Sequence, residues 1–297
     1  MNKHVSVPSV LQRKAVLVSL NISTWAARKL DRKVTRETNQ RYHAAADAGR
    51  FNKLLIEAAR LKEINGCVSR ARDLYYSMTK PWADEGQRIL PNALYLDFVN
   101  QLRVIKQDFE KAAEDFCREY PSFVAERKSV LNGMFNEADY PTPGMIRGKF
   151  KLEHRFSNLP AAGDFRSDDL DAETVEDIRA EIEKTTTAVE HEAMAHTKTQ
   201  IVEVVGHMAK KLGEYKSEGG DERRFFFDSL VDNIRDLVKL LPAFNLTGDT
   251  KLDALIKRID KELCSEDAKV LRKNDDLREG VRKSAEDILA EVERVMA

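Results

Sequence analysis

The stretch from Asp164 to His207 contains no proline and a single glycine, Gly206, and it limits the possible folds more than any other part of the chain. It opens with acids (Asp168, Asp169, Asp171, Glu173, Glu176, Asp177) and then turns apolar at helical spacing. Ile178, Ile182, Val189 and Ala193 lie near one face at about 100° per residue. Val204, Val205, Met208 and Leu212 continue an apolar face that has drifted round. Acids at the start and Lys210 and Lys211 at the end suit the two poles of a helix dipole. Roughly 40 residues at about 1.5 Å each make a rod on the order of 60 Å long. A helix of that length needs partner helices, from this chain or from another copy.

The rest of the chain supplies them. Asn92 to Phe116 places Leu96, Val99, Leu102, Ile105, Phe109, Ala113 and Phe116 at three- and four-residue intervals, with Pro121 ending or restarting the pattern. Behind the central stretch, Gly213, Gly219 and Gly220 mark a hinge or turn before Phe225. Three helices are then expected: Leu230 to Pro242, Leu252 to Leu263, and Glu266 towards Met296. Asn245 to Asp249 is turn chemistry. Two segments alternate instead. Val16, Val18, Leu20 and Ile22 within Ala15–Ser23, and Phe150, Leu152 and Phe156 within Lys149–Phe156, each share one face of a strand. Between them, Ser23 or Thr24 is expected to cap a helix running through Trp25 to Leu30 and beyond, with Gly49 breaking it. A second helix is expected through Leu54, Leu55, Ala58, Leu61 and Ile64, interrupted at Gly66 and resuming to Tyr76. The fold class is therefore mostly α, with a minor two- or three-stranded sheet from about 15–23 and 149–156. The long helix should pair antiparallel with Asn92–Phe116 or with the C-terminal helices, leaving part of its drifting face for another copy or another protein. Three consecutive parts are expected: a basic strand-helix part over 1–148, the second strand and long helix over 149–215, and C-terminal helices over 216–297.

A net charge of −1 over 297 residues hides a strong asymmetry. Residues 1–80 hold 16 Lys and Arg against 6 Asp and Glu, whereas residues 164–214 hold 6 against 13. The basic front would suit an acidic partner, nucleic acid included, or the acidic middle of the same chain or of another copy. No apolar run approaches the roughly 18 residues of a membrane-spanning helix. Met1 to Pro8 lacks the pattern of a secretory signal. Cys67, Cys117 and Cys264 are widely spaced and odd in number, which suits reduced thiols better than a disulfide framework. A cytoplasmic location is expected.

Several segments together resemble a family of phage- and mobile-element-encoded proteins of unknown function. They are Leu17 to Trp25, Pro81-Trp82 to Leu90-Pro91, Phe135 to Tyr140-Pro141, Gly163 to Arg166, and Leu240 to Asp249. Members are sometimes encoded near MoxR-like AAA+ ATPases, so the resemblance implies an ATPase-linked partner role, in a host cytoplasm. It brings no catalytic residue with it.

Three groups of residues carry candidate chemistry. Arg28, Lys29, Arg32, Lys33, Arg36 and Arg41, with Trp25 and Tyr42 nearby, could follow a phosphate backbone while aromatics stack on bases. Asp31 and Glu37 interrupt that run, and lysines and arginines commonly do no more than solvate a helix face. Glu192, His196, Glu203 and His207 fall within roughly 60° of arc on one helix and could hold Zn or Fe if a partner helix added ligands. Glu–His pairs four apart are equally ordinary helix-surface partners. The zinc-protease motif is excluded, because His191 and His196 are five apart, where it needs four. Trp82, Asp84 and Arg88 sit in a proline-bracketed loop that suits an interaction site, though Trp82 packed over a helix end accounts for it as simply. No phosphate-cradling glycine loop or nucleophile elbow is present. The leading expectation is a non-enzymatic helical scaffold or adaptor without a cofactor, self-associating and binding an AAA+ ATPase or host factor. The alternative is a DNA- or RNA-binding protein of phage replication or recombination that uses the basic front.

Overall fold

The computed structural model describes residues 10–82, 86–215 and 226–296. In chain order the elements are α1 (Val10–Lys14), β1 (Ala15–Ser23), β2 (Arg28–Leu30), α2 (Arg32–Arg41), β3 (Asn52–Leu54), α3 (Lys62–Met78), β4 (Lys80–Pro81) and β5 (Gln87–Pro91). There follow α4 (Tyr95–Leu131), α5 (Pro143–Arg147), β6 (Lys151–Ser157), α6 (Ala172–Glu214), α7 (Ser229–Phe244), α8 (Thr250–Leu263), α9 (Ala268–Lys273) and α10 (Asp275–Met296). The fold is mostly helical, as expected, with two long helices. A four-stranded sheet runs in the order β4-β5-β1-β6, and β2 pairs with β3 in a separate ribbon. Two compact units are built from non-contiguous segments. Met1–Ser19, Met78–Leu96 and Phe156–Ala297 form the first, and Leu20–Ser77 with Asp97–Arg155 form the second.

In the first unit, α6 is 43 residues long, capped by the Asp171 carboxylate, which accepts from the Thr174 N–H at 2.8 Å. It starts eight residues after Asp164, so Asp168 and Asp169 precede the helix. The buried stripe runs Thr186, Val189, Ala193, Thr197, Ile201, Val205, Met208, Leu212, and because its steps average more than the roughly 3.6 residues of a turn it drifts round the helix, as expected. Two threonines, Thr186 and Thr197, lie on this stripe. Each hydroxyl donates to the carbonyl one turn back, Thr186 to Ile182 and Thr197 to Ala193, both at 2.9 Å. A bonded hydroxyl can be buried without an unmet polar group. The second half of α6 is covered by its own chain, sharing one core with Ile234, Ile256, Ile259, Ile288 and Val292 of α7, α8 and α10. A side chain on Gly206 would reach Leu289 at 3.9 Å, and one on Gly213 would reach Arg282 at 3.3 Å. Moving up α6 therefore moves down α10, and the two are antiparallel, the C-terminal option among the expected pairings. The expected single helix from Glu266 is two, α9 and α10, parted at Asn274. The Asn245–Asp249 turn forms, with Gly248 at φ +73° and the Asn245 amide bridging to Asp253.

The two expected strands, β1 and β6, are neighbours in the sheet, and β4 and β5 extend it beyond expectation. Within the first unit, β1 pairs antiparallel with β5 (Ala15↔Pro91 to Ser19↔Gln87), and β4 adds to β5 through Lys80↔Ile89 and Pro81↔Arg88. The end of the expected proline-bracketed loop, Gln87–Pro91, is thus a strand. Leu17 and Val18 are both buried, so this end of β1 is covered on both faces and alternation alone misjudges it.

In the second unit, the helix expected from Ser23 or Thr24 does not form. Ala27, at φ +51°, turns the backbone into β2, and helix α2 begins only at Arg32. The Asp31 side chain explains the late start, since it accepts from the N–H groups of Lys33 and Val34 and caps the helix there. The segment expected as a second helix is instead β3, a 3-10 turn at Ala58–Leu61 and then α3, which runs through Gly66 unbroken. Helix α4 likewise continues through Pro121 to Leu131. Arg70 meets Asp108 and Arg60 meets Glu126, so α3 and α4 are antiparallel. Phe116, Tyr120, Phe123 and Phe150 form the aromatic centre of this unit.

Candidate functional site

The basic front condenses around one buried amine in the second unit. In the β2–β3 ribbon Lys29 stands opposite Lys53, a pairing of like charges that costs stability if left alone. Asp139 resolves it, with one oxygen 3.4 Å from the Lys29 ammonium and the other 2.6 Å from that of Lys53. Lys53 also lies 3.4 Å from Asp31 and donates to the Met134 carbonyl at 2.8 Å. Burial alone would push the Lys53 ammonium down, but Asp139 and Asp31 together overcome it and hold its pKa above the ordinary value. The Val34 N–H, then Lys53 and the Lys33 N–H, outweigh burial at Asp31 and hold its carboxyl below the usual range.

Around this cluster opens a cleft of about 970 Å³, lined on one side by residues from Arg28 to Glu37 and on the other by residues from Gly133 to Asp139. Lys53 ties the two sides together, bound to Asp31 on one and to Asp139 and Met134 on the other. Arg28, Lys29, Arg32 and Lys33 all line it and are exposed. Lys29 is drawn to Asp139, and Lys33 makes only a loose, exposed pair with Glu37 at 4.0 Å. Arg28 and Arg32 have no carboxylate within ion-pair distance among the described residues. Two planar guanidinium groups are thus left facing the cleft, each able to fork onto a phosphate. Arg36 and Arg41 are exposed but do not line it. Trp25, expected nearby as a stacking ring, packs edge-on against Tyr120 at 5.7 Å and Phe116 at 6.4 Å. Tyr42 is 74% exposed and also lies outside the lining.

The second wall comes from a loop some hundred residues away in sequence. Asn132, at φ +43°, turns the chain out of α4, and Asn tolerates that conformation better than most residues. The loop is held at several points. Tyr140 donates to the Leu55 carbonyl at 3.1 Å, Tyr120 donates to the Pro141 carbonyl at 2.9 Å, and Phe135 stacks on Tyr140 at 5.3 Å. Burial pushes the Tyr120 hydroxyl up to about 12, so it remains a donor throughout the ordinary pH range. No motif marks Lys53, Met134, Phe135 or Asp139. Only the tertiary fold brings them to the basic run.

The other candidate groups are placed apart. Glu192, His196, Glu203 and His207 all lie on α6, and among the described residues no three His, Cys, Asp or Glu side chains converge as a metal set. Burial, then the positive charges of Lys80 and Arg88, depress the His196 pKa, and such neighbours oppose a cation. Trp82 joins Pro160, Ile178, Ile182, Thr185 and Thr186 around an apolar hollow of about 270 Å³. Arg88 does not reach it, because its guanidinium donates to the Thr79 hydroxyl at 2.7 Å and the Thr79 carbonyl at 3.1 Å. Asp84 lies outside the described residues.

The first unit holds a second buried amine. Lys80 on β4 has no exposed surface. Its ammonium donates to the Gln200 side-chain oxygen of α6 and lies 3.8 Å from the centre of the Phe244 ring of α7. Among the described residues no carboxylate pairs with it. Burial, then the charge of Arg88, lowers its pKa to about 7.

No protein-family model, curated protein or solved structure matches the chain. Among the described residues no helix is long and apolar enough to cross a membrane.

Proposed function

We propose that the protein binds a polyanion, nucleic acid in particular, through the basic cleft of its second unit, without catalysing a reaction there. One observation carries the reading: four of the six basic residues singled out in the sequence line a single cleft, and two of them, Arg28 and Arg32, carry unneutralised guanidinium groups. Phosphate neutralisation releases counterions, so affinity should fall steeply with salt, each contact adding about 0.7 to 0.9 to the logarithmic slope. The test is fluorescence anisotropy of a labelled oligonucleotide over a salt series, with the wild type and an Arg28→Ala/Arg32→Ala variant. The variant should bind more weakly and with a slope smaller by about 1.5. Equal binding by both proteins, or binding indifferent to salt, would end the proposal.

A second reading is a helical adaptor that self-associates and serves a protein partner such as an AAA+ ATPase or host factor. It is supported by the apolar hollow of Trp82, Pro160, Ile178 and Ile182 beside the acidic start of α6. Light scattering during size exclusion should then show an oligomer for the wild type and a smaller species for Ile182→Glu. A monomer in both cases at tens of micromolar removes self-association.

A further inference from the structure

The two sides of the basic cleft differ in chemistry, and the difference specifies the kind of polyanion. Residues 28–37 contribute the cationic groups of Arg28, Arg32 and Lys33. Residues 133–139 contribute Gly133, Met134, Phe135 and Asn136, with Asp139 turned inward onto Lys53. Phe135 is half-buried and braced by Tyr140, and Met134 is 39% exposed. An aromatic ring and a thioether facing a row of cations are wasted on a ligand that offers only phosphate. A duplex is such a ligand at its surface, because its bases are stacked inside and only its backbone would meet the cleft rim. A single strand presents phosphates along one edge and unstacked bases along the other, and bases stack on aromatic side chains with little regard to sequence.

Resting on the polyanion reading, we infer that the cleft takes single-stranded nucleic acid, with phosphates on Arg28, Arg32 and Lys33 and a base against Phe135 and Met134. Asn136 sits on the same side. Its side-chain oxygen accepts from the Ala138 N–H at 3.0 Å. Lys53 acts through position only, because its ammonium is consumed by Asp31, Asp139 and the Met134 carbonyl, and it holds the cationic and aromatic sides at a fixed separation.

The test compares three probes on the full chain at one salt concentration: an oligo-dT of about 12 nucleotides, a duplex of equal length, and inorganic polyphosphate. The single strand should bind at least fivefold tighter than the duplex. Phe135→Leu, which keeps bulk and loses the ring, should weaken oligo-dT binding about tenfold and leave polyphosphate binding within twofold. Phe135→Trp should restore the oligo-dT affinity, which separates stacking from damage to the loop. Arg28→Ala/Arg32→Ala should weaken both ligands. If oligo-dT and duplex bind alike and Phe135→Leu changes neither, this inference is overturned while the polyanion reading stands. If none of the three probes binds, both fall together.

Discussion

Lys53 and Lys80 are both buried lysines, one in each unit, and their pKa values are shifted in opposite directions. Lys53 has two carboxylates and a carbonyl around its ammonium, and its pKa is raised. Lys80 has an amide oxygen and the face of a phenyl ring, with Arg88 nearby, and its pKa falls to about 7. Both side chains have little exposed surface, but Lys80 is enclosed far more deeply, and its burial is the main cause of its lowered pKa. At Lys53 the smaller cost of burial is outweighed by its carboxylate partners. An ammonium that meets carboxylates keeps its proton and serves as a structural strut. One that meets only neutral groups is charged at a cost or sheds its proton.

The comparison can be broken most severely at Lys53. Lys53→Met would leave Asp31 without its cation and Asp139 with only Lys29, and should destabilise the second unit by about 3 kcal/mol in urea unfolding at pH 7. A loss under about 1 kcal/mol would mean that the carboxylates find other partners.

Lys80→Met should act in the opposite direction. The unfolded chain keeps a lysine proton up to its ordinary 10.5, whereas the folded chain keeps it only up to about 7. Between those values the unfolded state binds more protons, so wild-type stability should rise with pH across that window. Removing the amine should stabilise the protein by on the order of 2 kcal/mol at pH 6, with the gain shrinking towards pH 10. Urea midpoints at pH 6, 8 and 10 read this directly, and parallel curves for the two proteins would refute it.

Gln200→Glu sharpens the contrast by giving Lys80 the carboxylate that Lys53 has. The pH-dependent rise should flatten, with a change on the order of 1 kcal/mol at pH 7. The smallest effect is expected from Asp31→Asn. Asparagine still caps α2, so the loss at neutral pH should be about 0.5 to 1 kcal/mol, chiefly from Lys53. Because the Asp31 pKa is lowered on folding, its contribution is complete above the ordinary 3.8 and is lost as pH falls through the folded value. The variant should lack that part of the acid limb.

Much of the fold is legible from periodicity, because long helices with one buried stripe declare themselves locally. Helices α4, α6, α7 and α8 and strand β6 lie close to where spacing places them. Illegible regions share a physical reason. Around Ala27 the backbone takes a left-handed turn at an alanine, a residue that otherwise favours helix, and the carbonyl of that residue is then claimed by the Leu55 N–H at 2.8 Å. Such a choice is made by a partner distant in sequence. The short strands β2, β3 and β4 are set by pairing in the same way. The site divides likewise: the cations of one wall are contiguous in sequence and can be read there, whereas Lys53, Phe135 and Asp139 become neighbours only once α4 has turned back at Asn132. The buried environment of Lys80 has no sequence signature at all, since Gln200 and Phe244 are unremarkable until they meet it.

The interleaving of the two units has a temporal meaning for a chain made from its N-terminus. The second unit is complete once Arg155 has been added, whereas the first has by then received only α1, part of β1, β4 and β5. Helices α6 to α10, which supply most of its core, lie in residues 156–297, roughly 140 residues and on the order of ten seconds of synthesis further on. Leu159, Val189, Ala193 and Leu246, which pack with Leu17 and Ile89, and Gln200 and Phe244, which enclose Lys80, all belong to that later stretch. Every residue that lines the basic cleft has therefore been added before the helices that make most of the other core.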